Sequence, residues 1–113
     1  MARVPMSAPI ATRHLRLRCS DGSQSRVTIT LGVPVPDPLD PGRTWACPYE
    51  IAAFGEVEAR AMLGVDGFQA LILAIHILPS ELRALARDHG GQFLDEPDLG
   101  LDHVCRSSLE FAG

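Results

Sequence analysis

Apolar and polar residues alternate over residues 12–19, with Leu15, Leu17 and Cys19 on one side and His14, Arg16 and Arg18 on the other. A period of two is the pattern of a strand with one face in a core and one in water. Ser20-Asp21-Gly22-Ser23 has turn composition, and residues 26–33 then alternate again, setting Val27, Ile29, Leu31 and Val33 against Arg26, Thr28 and Thr30. Two such runs about a short turn predict a β-hairpin. Residues 34–43 hold four prolines and a glycine, which predicts a loop outside any ladder. A third strand is expected from about Thr44, with Trp45, Cys47, Tyr49, Ile51 and Ala53 on one face. Pro48 has no N–H to donate, so this strand should lie at an edge or carry a bulge. Phe54-Gly55-Glu56 turns the chain, and Val57, Ala59, Ala61 and Leu63 form the apolar face of a fourth strand. Matching the two apolar faces pairs Ala53 with Val57, and that register sets Glu50 opposite Arg60 on the solvent side.

After Gly64 the period changes. Asp66 followed three residues later by Gln69 is a capping box at the start of a helix, in which Asp66 accepts from the backbone of Phe68 or Gln69. The helix runs from about Gly67 to Asp88, with Phe68, Leu71, Ile72, Ile75, Leu78, Leu82, Leu85 and Ala86 in one stripe expected to cover the sheet. Pro79 should kink or break it near Leu78, and Gly90-Gly91 should end it. Leu73, Ile77 and Ala84, with Ala74 beside them, are left pointing away from the sheet. A second apolar stripe on a surface helix marks a contact site, so Leu73, Ile77 and Ala84 are interface candidates for a homodimer seam or a protein partner. Residues 103–111 folding back over the same stripe is the alternative. Gln92-Phe93-Leu94 and Leu99-Gly100-Leu101 flank an acidic turn, and at least one should add to the sheet edge.

The expected fold is therefore α+β: a four- to five-stranded, mostly antiparallel sheet with one long, kinked helix on one face. Residues 1–10 read as a flexible leader, residues 11–102 as one domain, and residues 103–113 as a C-terminal tail with the option of a short helix. At 113 residues the length suits a single domain. A net charge of −4 argues against nucleic acid as a partner, and no segment reads as a membrane span or signal peptide, so the expected location is cytoplasmic. All ten basic residues are arginine, which excludes a Schiff-base or phosphate-loop lysine.

Chemistry-bearing residues do not converge along the chain. No GxSxG frames a serine, and Cys19, Cys47 and Cys105 form no CxxC. Asp102-His103-Val104-Cys105 is the densest run of ligand types and lacks a second pair; Asp95, Glu96, Asp98 and Asp102 lack the spacing of a calcium loop. No catalytic residue, metal or cofactor is expected. His14, Arg16, Arg18 and Arg26 share the outer face of the first hairpin, a solvated face open to an acidic partner.

Three motifs stand out together: Trp45-x-Cys47-Pro48-Tyr49-x-Ile51, Gly64-Val65-Asp66-x-x-Gln69-Ala70-Leu71, and Asp98-Leu99-Gly100. In combination they resemble a family of small uncharacterised bacterial proteins, a domain of unknown function, over roughly residues 12–102. The resemblance implies membership and no activity. The leading reading is a small protein-binding module, of the immunity-like or accessory kind, that acts by surface contact and not by catalysis. The alternative is a small-molecule-binding or enzymatic domain with a pocket between sheet and helix near Trp45, Tyr49 and His76.

Overall fold

A computed structural model describes residues 4–94. Its elements are β1 (Pro9–Arg18), β2 (Gln24–Gly32), β3 (Val35–Pro36), β4 (Trp45–Ala53), β5 (Glu56–Gly64), α1 (Gly67–Asp88) and β6 (Gln92–Phe93). All pairings are antiparallel, in one six-stranded sheet. β4 has β5 on one side and β2 on the other; β3 continues the line of β2 along the start of β4, and β1 and β6 follow β2 outward. The α+β architecture expected from the two periodicities is the one observed. β1 takes in Pro9 and Ile10, residues expected in the leader.

The first hairpin pairs Leu15 with Val27, both buried, and His14 with Thr28, whose side chains meet at 3.0 Å on the outer face. Its turn is closed by Asp21, which accepts from the backbone and hydroxyl of Ser23 and is held below the usual carboxylate range by those bonds. β6 adds Phe93 opposite Leu17, so the Gln92-Phe93-Leu94 piece does extend the sheet edge.

β4 is interior, not an edge, and Pro48 is accommodated by irregularity in its neighbour. Leu31 pairs with Tyr49 and Val35 with Ala46, so the β2–β3 side has one more residue than β4 between those pairs, a bulge. Pro48 sits against Gly32, whose carbonyl oxygen accepts from the Cys47 thiol at 3.4 Å. Burial pushes that thiol up from its ordinary value. The stretch expected to stay outside any ladder therefore contributes Val35–Pro36 to the sheet.

The β4–β5 register differs from expectation by one residue. Ala53 pairs with Glu56, Tyr49 with Arg60 and Glu50 with Ala59, around a turn of two residues, Phe54 and Gly55, with φ of 55° and 75°. Both central residues lie in the left-handed region, as a tight type I′ hairpin requires. The slip turns β5 over. Glu58, Arg60 and Met62 share the helix side with Ile51, Tyr49 and Cys47, and Val57, Ala59, Ala61 and Leu63 face the other way.

Asp66 caps α1 by accepting from the Gln69 backbone at 2.8 Å, and the Gln69 side chain accepts from Val65 N–H at 2.8 Å. The helix runs unbroken through Pro79. It ends in a Schellman arrangement: Gly90 has φ of 58° and donates to Arg87, and Gly91 donates to Ala86. Its buried residues are Ala70, Ala74, Leu78 and Leu82. The expected stripe is thus rotated: Phe68 and Ile72 are exposed, Ala74 is buried, and Ile77 packs against the core. Close approach is the cause, since a Cβ on Gly64 would lie 2.5 Å from the Ala70 backbone nitrogen. Alanine alone fits the near end of the helix, and leucine takes over farther along. By length and composition α1 could cross a membrane, against the expectation that no segment does; only 28% of its apolar window is buried.

Candidate functional site

The site is built on β5 and the helix flank above it. On the helix side, Tyr49 is buried and its hydroxyl donates to Glu81 Oε1 at 2.7 Å. Arg60 donates to the same oxygen from Nη1 at 3.1 Å and to Glu58 Oε2 from Nη2 at 2.7 Å. Glu81 is only 15% exposed, and its Oε2 has no hydrogen-bond partner among the described residues. Burial, then the hydrogen bond and charge of Glu81, push the Tyr49 phenol well above its ordinary value. A carboxylate here accepts from a neutral phenol and a cation, which fixes the helix over β4 and β5 but sets up no proton transfer.

Beside this cluster a cleft of about 260 Å³ opens between the β4–β5 hairpin and the last turns of α1. Glu56, Glu58 and Arg60 line it from β5, and Ser80, Glu81, Ala84 and Asp88 from the helix. Phe54 closes one end by stacking on His89, with ring centroids 4.0 Å apart.

The lateral edge of β5 is the second half of the site. In a two-residue hairpin the closing pair exchanges both backbone hydrogen bonds and the pairs alternate from there, so Glu56, Glu58, Arg60, Met62 and Gly64 bond to β4. Val57, Ala59, Ala61 and Leu63 therefore aim their N–H and C=O groups outward, where no strand pairs with them among the described residues. Val57 is 60% exposed and Leu63 51%. The opposite edge is different: β1 carries Pro9, Arg13 and Arg16, residue types that blunt a sheet edge, and β6 covers one end of it.

The residues singled out from sequence are dispersed. Trp45 packs at the start of α1, where a Cβ on Gly67 would come within 3.4 Å of its ring. Tyr49 belongs to the Glu81 cluster, and His76 is exposed on the outward face of the helix. These three do not form one pocket. Asp66 and Gln69 form the cap. Ala84 lines the cleft, and Leu73 and Ile77, at helical spacing from it, share its flank beside β5. Glu81 and Arg60 were not singled out; Glu81 lies three residues after Leu78 and four before Leu85, and a charge next to those two stripe positions was the available signal. Among the described residues no group of three or more His, Cys, Asp or Glu side chains is placed to hold a metal ion, and residues 95, 96, 98 and 102–105 lie outside them.

Sheet and helix define the class: an α+β domain with a long helix packed over an antiparallel sheet. The chain belongs to the domain of unknown function DUF6968, whose family model matches residues 11–103. No curated protein and no solved structure matches it.

Proposed function

We propose that this domain is a non-catalytic protein-binding module whose binding element is β5, which adds an extended strand of its partner to the sheet. The carrying observation is the outward edge of β5, a run without proline in which Val57, Ala59, Ala61 and Leu63 present an apolar outer face and backbone groups that pair with no strand among the described residues. Strand addition takes its affinity from main-chain hydrogen bonds and its specificity from alternate side chains, and β5 supplies both. Such a module acts by occupying another protein's surface, as an immunity or accessory protein does.

Ala59→Pro is the test, because the Ala59 N–H points outward and bonds to no strand among the described residues. With the full chain as bait in an extract of its native host, wild type is expected to retain a defined protein and Ala59→Pro to lose it, with an unchanged circular dichroism spectrum. Retention that ignores the substitution, or no specific retention by a wild type that also fails to pair with itself through β5, overturns the proposal.

A second reading is favoured by the cleft, where Glu56, Glu58, Glu81 and Asp88 outnumber Arg60 and His89 beside the Phe54 ring. That lining suits a small amine with an apolar body. A thermal-shift titration with aliphatic and aromatic amines tests it: a saturable rise in midpoint, absent in Asp88→Asn, supports the reading, and a flat response to every amine rejects it.

A further inference from the structure

The charge pattern of β5 is complementary to itself in one register. Two copies of a strand related by a two-fold axis pair antiparallel, and the residue on the axis decides which side chains meet. With Arg60 on the axis, two guanidinium groups face each other, and with Glu58 on the axis two carboxylates do. With Ala59 on the axis, Glu58 of each copy lies opposite Arg60 of the other, and Val57 lies opposite Ala61. Resting on the strand-addition reading, we infer that the partner is a second copy of this chain, joined through β5 with Ala59 at the two-fold axis.

The helix flank carries the inference further. In the joined sheet both helices lie on the same face, each above its own β4 and β5, and the flank lining the cleft is the one turned toward the axis. Along it Leu73, Ile77, Ser80 and Ala84 follow one another at spacings of four, three and four, the spacing of a helix–helix seam. Leu73 is 36% exposed, and Ile77 is already half-buried against the core. The same two-fold axis that pairs Glu58 with Arg60 of the copy brings these flanks together, so the two cleft walls merge into one shared cavity.

The register makes a specific demand on cross-linking. Hydrogen-bonded antiparallel pairs hold Cα atoms about 5.5 Å apart, within reach of a disulfide. Ala59 meets its own copy and Ala61 does not. In a background with Cys19→Ser and Cys105→Ser, Ala59→Cys is expected to form a covalent dimer under mild oxidation about tenfold faster than Ala61→Cys. Wild type should sediment as a dimer and Ala59→Pro as a folded monomer. A wild type that stays monomeric at every concentration, or equal cross-linking of the two cysteine variants, overturns the inference. The strand-addition reading is judged separately: it survives a monomeric result if a different protein is still retained from the extract and released by Ala59→Pro, and it falls if the wild type is monomeric and no retained protein is sensitive to that substitution.

Discussion

Tyr49 is the single tyrosine of the chain, so its ionisation can be followed without interference. Its phenol is raised above the ordinary value of 10.0 by burial first and by Glu81 second. A raised pKa means that the folded chain keeps a proton which the unfolded chain releases. The associated stability is fully present below about pH 10 and is lost as the pH rises beyond it. Phenolate absorbance is therefore expected to appear together with unfolding, in one transition in alkali. A smooth titration near pH 10 in a chain whose circular dichroism is still native would contradict the placement of the hydroxyl against Glu81. Single residues were legible from sequence where their partners are local, as at Asp66 and Gln69. Arg60 was not, because its surroundings are set by the pairing of two strands, and an error of one in that pairing moves it from solvent to the helix side.

Among the elements, α1 begins at a side-chain cap. Asp66→Ala removes the acceptor for the Gln69 N–H and is expected to lower stability by about 1 kcal/mol, read as a shift in the urea midpoint with unchanged slope. An unchanged midpoint would show the cap to be energetically idle. The β4–β5 hairpin teaches the opposite lesson about reading elements from sequence. Its turn requires a left-handed backbone at Phe54, a conformation that a bulky aromatic residue rarely takes. The stack on His89, at the far end of the helix, offsets that strain. Turn length sets the register of β5, and the residue that takes the left-handed position touches a distant segment, which parity alone cannot see. The same kind of distant cause, the close approach at Gly64, rotated the buried face of α1 toward its alanines.

At the scale of the whole molecule the fold class was legible because the period changes once, from two to 3.6, at Gly64. The order of strands was not, since β3 and β6 are two residues each and leave almost no periodic trace. β6 has a further consequence, one of timing. Leu17 and Phe93 stand near opposite ends of the described chain, so a chain emerging vectorially from a ribosome completes its first hairpin long before that hairpin's neighbour exists. Until then the covering of Leu17 is incomplete, and joining β6 to β1 closes a very long loop, a kind of contact that forms slowly though its cost in free energy is modest. A chain released after Gly91 is accordingly expected to be collapsed and protease-sensitive near β1, with the full-length chain resistant at the same sites. Equal resistance of the two would show that the first hairpin matures without waiting for β6.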